Sequence, residues 1–225
     1  MKTIKRKEQD SYLISYSTID VVSSFGHEIK NLFLMHEPKS TLLTVLFPGV
    51  NNTCESPLLY YGREAALQAG SDVLGIEYGY RRAGREFSSE MYAPSLKETM
   101  EAIRRCGLEK YRRVSFISKS FGTLIAGEIT KQFTSSDILN FFLTPVPSTI
   151  PYITKAECTV VCGAADPYFS QKDVDKIAGN PHMKLVIVPG ADHSLAIEND
   201  YRASLQVLMQ VCETYDAFFH IVRTE

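Results

Sequence analysis

Three side chains in this sequence have the types and the order needed for nucleophilic catalysis: Ser120, Asp166 and His193. A serine hydroxyl is a poor nucleophile at neutral pH, so a histidine must take its proton during attack on a carbonyl. A carboxylate can hold that imidazole in the required tautomer and stabilise the imidazolium that forms. The three residue types therefore predict acyl transfer through a serine nucleophile.

Ser120 lies between an apolar run, residues 114–117, and a helical pattern that begins at residue 123. The residues between them read Ser-Lys-Ser-Phe-Gly, which is typical of a sharp turn from a strand into a helix that raises a serine hydroxyl above the sheet edge. Such a turn needs small residues two positions before and after the serine. Gly122 meets this need without strain, and Ser118 is small enough to replace the more usual glycine. Ser118 is the rival nucleophile, but its place at the strand end favours Ser120.

Apolar segments rich in β-formers alternate with segments of helical period, which predicts a mostly parallel sheet. The predicted strands, the first two of them antiparallel, are 12–16, 29–35, 41–47, 73–78, 114–117, 140–143, 159–162 and 185–188. A final helix over 199–219 is predicted to turn one face inward, made of Tyr201, Leu205, Leu208, Cys212, Tyr215 and Phe219.

This arrangement resembles the α/β-hydrolase superfamily, in which the nucleophile follows the fifth strand, the acid the seventh and the histidine the eighth. Ser120, Asp166 and His193 occupy those places. Asp192 and Glu198 are the alternative acids. The resemblance implies an α/β fold with a central sheet of about eight strands, helices on both faces and no cap domain, and we expect a single domain over residues 1–225.

The resemblance also implies an oxyanion hole made of two backbone N–H groups. One is that of Phe121, directly after the nucleophile, and the other comes from the loop after the third strand. Many members carry His-Gly in that loop, whereas this chain has Phe-Pro-Gly-Val at residues 47–50, so it departs from the usual pattern. Val50 is the candidate for the second donor.

The substrate site is predicted to be open and shallow. Residues 144–157, where related hydrolases insert a cap, are too few for a cap and leave no room for a helix. The loop after the fourth strand should lie near the same edge of the sheet, where open α/β sheets place ligands. We expect Asn51, Tyr80, Arg81 and Arg82 to contact substrate, the arginines recognising a carboxylate or phosphate. The alternative is a solvated basic loop.

Composition excludes several other classes of function. The 225-residue chain has a net charge of −2, which favours neither nucleic acid nor an anionic membrane. It contains neither a phosphate-binding P-loop nor a dinucleotide fingerprint, and its histidines lack metal-ligand spacing. We therefore expect no cofactor, no metal, no nucleic acid and no membrane span. The odd cysteine count of 5 and the absence of a signal peptide predict a cytoplasmic protein.

The sequence thus predicts a serine hydrolase that cleaves a carboxylic ester or thioester of a small acyl substrate through an acyl-enzyme on Ser120. Small size and the missing cap resemble the dienelactone-hydrolase-like and other compact esterases. The alternatives are an acyltransferase or peptidase with the same three residues, or a ligand-binding protein that keeps the fold without catalysis. The oligomeric state is not readable from the sequence.

Overall fold

A computed structural model describes residues 2–4, 13–133 and 138–224 of the chain, with the backbone alone for residues 2–4. The described strands form one nine-stranded sheet with the order β1-β2-β3-β5-β4-β6-β7-β8-β9. The strands are β1 (Lys2–Ile4), β2 (Leu13–Val22), β3 (Glu28–Glu37), β4 (Leu42–Phe47), β5 (Asp72–Gly75), β6 (Arg113–Lys119), β7 (Ile138–Leu143), β8 (Cys158–Gly163) and β9 (Met183–Val188).

The sheet is antiparallel at one side and parallel over the rest. The strand pairs β1–β2, β2–β3 and β3–β5 are antiparallel, whereas every neighbouring pair from β5 through β4 to β9 is parallel. All eight predicted strands are present, and β1 is an additional one. Every residue of β4, β6 and β8 is buried, because helices cover both faces of the parallel part. The predicted fold class is confirmed.

Seven helices connect and cover the strands in the described part of the chain. They are α1 (Pro57–Gln68), α2 (Gly79–Arg82), α3 (Tyr92–Cys106), α4 (Phe121–Gln132), α5 (Ile150–Ile153), α6 (Gln171–Ile177) and α7 (Tyr201–Thr224). Side chains of α1 and α7 form the core on one face of the sheet, and those of α3, α4, α5 and α6 form the core on the other. None of these helices is long and apolar enough to cross a membrane.

The inward face predicted for the last helix is wrong in its first turns. Tyr201 and Leu205 are 70% and 58% exposed, and the helix instead buries Val207 and Val211. Tyr215 and Phe219 are buried as predicted. The physical reason is that a stripe of apolar residues continues through the start of the helix, and periodicity alone does not show which of two adjacent stripes meets the sheet.

The connection after β7 contains a short helix that was not predicted from the sequence. A 3₁₀ turn at Pro147–Thr149 leads directly into α5, a single turn of four residues. Pro147 and Pro151 both lie in first turns, where the missing N–H of proline costs no hydrogen bond. The prolines therefore begin helical turns here instead of interrupting them. The connection is still too short to form a cap.

Candidate active site

Ser120 occupies a strained turn between β6 and α4. Its backbone angles are φ 52° and ψ −121°, a conformation that a residue with a side chain rarely adopts. The turn is fixed on both sides, because the Ser120 N–H donates to the Leu143 carbonyl at 3.0 Å and the Thr123 hydroxyl donates to the Ser120 carbonyl at 2.6 Å. The strain directs the Ser120 hydroxyl towards the carboxyl edge of the sheet, at the N-terminus of α4.

Gly122 allows α4 to lie directly against the end of β4. A Cβ atom at residue 122 would lie 2.4 Å from the Phe47 carbonyl oxygen and 2.6 Å from that of Pro48. Real Cβ atoms do not approach backbone this closely, so glycine is required here by packing. The same contact places the loop after β4 beside Ser120, where a Cβ on Gly49 would be 3.3 Å from the Ser120 Cβ.

Asp166 lies in the loop after β8 with its side chain fully buried. Its Oδ1 accepts hydrogen bonds from the backbone N–H groups of Tyr168 at 2.8 Å and Phe169 at 3.3 Å. These two donors fix the orientation of the carboxylate. The other oxygen, Oδ2, is 2.8 Å from the Nδ1 atom of His193.

His193 lies in the loop after β9 and bridges the other two residues. Its Nε2 is 2.8 Å from the Ser120 Oγ, so the imidazole touches the serine with one nitrogen and the aspartate with the other. The His193 side chain is 18% exposed, and the ring of Tyr168 packs edge-on against it with centroids 4.9 Å apart. The arrangement can move a proton from the serine oxygen to the imidazole.

The alternative residues are positioned for other contacts. Ser118 is completely buried, and its hydroxyl lies 3.4 Å from the Phe141 carbonyl. Asp192 accepts hydrogen bonds from the N–H groups of Ser194 and Ala196, which closes its own turn. Glu198 is exposed. A second histidine–aspartate contact joins His36 Nδ1 and Asp72 at 3.3 Å. The other ring nitrogen of His36 lies against the Leu67 carbonyl, so no nucleophile can reach that nitrogen.

Lys119, directly before Ser120, contacts the loop that carries His193. The side chain is buried, and its ammonium donates to the His193 carbonyl at 3.0 Å and to the Thr144 hydroxyl at 3.3 Å. Burial lowers the pKa of this amine from 10.5 to about 8, and the carboxylates of Asp166 and Asp192 offset part of that decrease. This role of Lys119 was not predicted, because no local feature of the sequence indicates that the lysine before Ser120 is buried.

Replacing Lys119 with methionine should change how stability depends on pH. Between about pH 8 and 10.5 the unfolded chain binds more protons than the folded one, because the folded-state pKa of Lys119 is lowered. The free energy of unfolding of the wild type, relative to Lys119→Met, should therefore rise with pH through this window, by at most about 3 kcal/mol. Below about pH 8, Lys119 is protonated in the folded wild type, and the buried charge lowers the free energy of unfolding by its full amount.

Urea unfolding of both proteins across this pH range measures the difference. Lys172→Met, which removes an exposed lysine of α6, is the control for loss of a positive charge. A difference between the wild type and Lys119→Met that does not vary with pH would contradict the prediction.

Two buried tyrosines hold the loop that carries Val50. The Tyr78 hydroxyl donates to the Pro48 carbonyl at 3.1 Å, and the Tyr80 hydroxyl donates to the Val50 carbonyl at 2.8 Å. Their rings stack with centroids 5.9 Å apart. Burial raises the pKa of Tyr80 to about 12 and that of Tyr78 well above its usual value, so both phenols remain hydrogen-bond donors. Tyr80, predicted to contact substrate, is only 1% exposed and contacts this loop.

The backbone N–H groups of Phe121 and Val50 have no acceptor within the described residues. Phe121 is the first residue of α4, so its N–H has no partner inside the helix. Both N–H groups belong to segments adjacent to Ser120, and the positive end of the α4 dipole lies at the same point. The two N–H groups and the helix dipole can therefore stabilise a negatively charged oxygen.

The other residues predicted to contact substrate differ in their surroundings. Asn51 is exposed in the loop after β4. Arg81 and Arg82 border a cavity whose lining does not include Ser120, Asp166 or His193. Cys54 also borders this cavity, and burial raises the pKa of its thiol to about 12, which suits packing and not nucleophilic attack. No cluster of three or more metal-ligating side chains occurs in the ranges that the structure describes.

Comparison with known proteins identifies the fold. No protein-family profile and no curated protein matches the sequence. Solved structures do match, although the sequences are distant. A Pyrococcus furiosus esterase is 13% identical with a TM-score of 0.65, and the match covers 92% of this chain and 91% of the esterase.

A dienelactone hydrolase from Anabaena variabilis is 16% identical with a TM-score of 0.65, covering 93% of this chain and 98% of the other. An Agrobacterium tumefaciens protein described as an α/β hydrolase is 13% identical with a TM-score of 0.69, covering 91% and 97%. The chain therefore has the α/β-hydrolase fold.

Proposed function

We propose that this protein is a serine hydrolase that cleaves a carboxylic ester or thioester of a small substrate, with Ser120 as the nucleophile. The observation that carries the proposal is the chain of two 2.8 Å contacts, from Ser120 Oγ to His193 Nε2 and from His193 Nδ1 to Asp166 Oδ2. A ligand-binding protein has no physical need for all three groups at these distances. The structural similarity to esterases and to a dienelactone hydrolase also supports it.

In the proposed reaction, the Ser120 oxygen attacks the substrate carbonyl while His193 Nε2 takes the hydroxyl proton. Asp166 accepts the hydrogen bond from Nδ1 and stabilises the imidazolium. The tetrahedral intermediate then expels the alcohol or thiol, which receives its proton from His193. Water then attacks the acyl-enzyme while His193 takes a proton from it. The carboxylic acid leaves as His193 returns that proton to the Ser120 oxygen. The mechanism uses only side chains and backbone donors.

The negative charge that develops on the carbonyl oxygen requires donors fixed before the reaction. We assign this role to the N–H groups of Phe121 and Val50. The hydroxyls of Tyr78 and Tyr80 act through the loop carbonyls, so these tyrosines are positioning residues. Donors held in this way need no rearrangement as the charge forms, which is the main reason why oxyanion holes accelerate acyl transfer.

Labelling with a fluorophosphonate probe, followed by peptide mapping, tests the proposal. The probe should modify Ser120 in the wild type and leave Ser120→Ala unlabelled, because only a serine activated by a histidine reacts readily. Ser118→Ala is the matched control, since it removes the buried hydroxyl two residues away, and it should be labelled like the wild type.

A folded wild-type protein that resists the probe would contradict the proposal and favour the ligand-binding alternative. Loss of labelling in Ser118→Ala but not in Ser120→Ala would also contradict the proposal, because it would identify Ser118 as the nucleophile. Once Ser120 is labelled, comparison of water with alcohols and amines as acyl acceptors distinguishes a hydrolase from an acyltransferase.

A further inference from the structure

The arginines after β5 border a cavity that none of the three candidate catalytic residues lines. Tyr80 extends inward to the loop after β4, whereas the next two residues of the same helical turn, Arg81 and Arg82, border a cavity of about 420 Å³. This cavity, here called the basic groove, lies between β3, β5, α2 and the segment that precedes α1. Its volume is within the range of small-molecule sites in proteins.

The floor of the basic groove is apolar. Leu32 and Leu34 alternate on one face of β3, as side chains two residues apart do in a strand, and both are only half-buried. Leu46 of β4 and Val73 of β5 also border the groove, but the protein already buries both of them. Leu34 packs against the core beneath α1 and α7, and the half-buried Leu32 and Leu34 offer an apolar surface that a hydrocarbon chain can cover.

The rim carries four cationic side chains, two of which the protein itself pairs with carboxylates. Among the cations at the groove, Arg63 pairs with Glu55 and Glu64, and Lys30 lies 3.8 Å from Glu28.

Arg81 and Arg82 form no ion pair with any carboxylate in the described ranges, and Glu77 is the remaining acidic residue on the rim. Two adjacent guanidinium groups without partners can bind a carboxylate with paired hydrogen bonds.

We propose that the basic groove is a second ligand site that binds an amphipathic carboxylate. The hydrocarbon chain covers Leu32 and Leu34, and the carboxylate pairs with Arg81 and Arg82. Pro48 and Asn52, in the loop after β4, also border the groove. The proposal does not depend on catalysis by Ser120, because none of Ser120, Asp166 and His193 lines the groove.

Calorimetric titration of the full chain with octanoate tests the site. Octanoate should bind with one-site behaviour, and the double variant Arg81→Gln/Arg82→Gln should weaken binding at least about tenfold, since two charge-assisted contacts are lost. Butanoate, which lacks most of the chain, and 1-octanol, which lacks the charge, should each bind more weakly than octanoate. Arg104→Gln, an exposed arginine of α3, is the control and should bind like the wild type.

Ser120→Ala and fluorophosphonate-treated protein distinguish the groove from the serine site. Both should bind octanoate with wild-type affinity. Equal affinity of the double arginine variant and the wild type would overturn the proposal, as would loss of octanoate binding after fluorophosphonate treatment. Absence of binding to the wild type at octanoate concentrations up to about 10 mM would also overturn it.

Discussion

Replacing His193 with alanine is expected to lower kcat for a small activated ester, such as p-nitrophenyl acetate, by about 10⁶-fold. The expectation follows from the 2.8 Å contact between His193 Nε2 and the Ser120 hydroxyl, because no other base lies against that oxygen among the described residues. The KM should change little, since the imidazole mainly serves the transition state. Steady-state kinetics with both proteins provides the measurement.

His182→Ala is the matched control for this experiment. His182 is exposed and precedes β9, at the opposite end of that strand from His193. Its removal should leave kcat within about twofold of the wild type. A His193→Ala protein with wild-type turnover would contradict the proposed mechanism, and a large loss in His182→Ala would show that the effect is not specific to the site.

Replacing Gly122 with alanine is expected to reduce the free energy of unfolding by about 3 kcal/mol. The added Cβ would lie 2.4 Å from the Phe47 carbonyl oxygen, and backbone at the end of a buried strand has little freedom to move. Any movement that relieves the clash also displaces the loop of Val50, so we expect turnover to fall as well. Urea unfolding measures the change in stability.

Gly179→Ala is the control for the loss of a glycine. Gly179 is exposed, and a Cβ there would meet no atom within 4 Å. Its stability should remain within about 0.5 kcal/mol of the wild type. If Gly122→Ala were as stable as Gly179→Ala, the approach of α4 to the end of β4 would not be a packing constraint.

The parallel sheet and the proximity of the three candidate catalytic residues could be predicted from the sequence, because local pattern and chain order are sufficient for both. Alternating β-rich and helical segments determined the parallel sheet, because continuous apolar runs suit strands buried on both faces. Ser120, Asp166 and His193 each follow such a run, and the carboxyl ends of parallel strands meet at one edge of the sheet. Their proximity therefore followed from their order along the chain.

The direction in which a side chain points could not be predicted from local pattern and chain order. Nothing local distinguishes Tyr80, which is buried against the loop after β4, from Arg81 and Arg82, which border the basic groove. The inward face of α7 and the burial of Lys119 were missed for the same reason. Each is decided by which residues from distant parts of the chain lie nearby.

The sequence by itself thus determined the class of fold, the order of the three candidate catalytic residues and the small size of the connection after β7. Tertiary structure alone decided the two 2.8 Å contacts of His193, the close approach of Gly122 to Phe47 and the cavity that Arg81 and Arg82 border. The physical reason is that periodicity and turn chemistry act over a few residues, whereas packing joins residues 70 or more positions apart, such as Ser120 and His193.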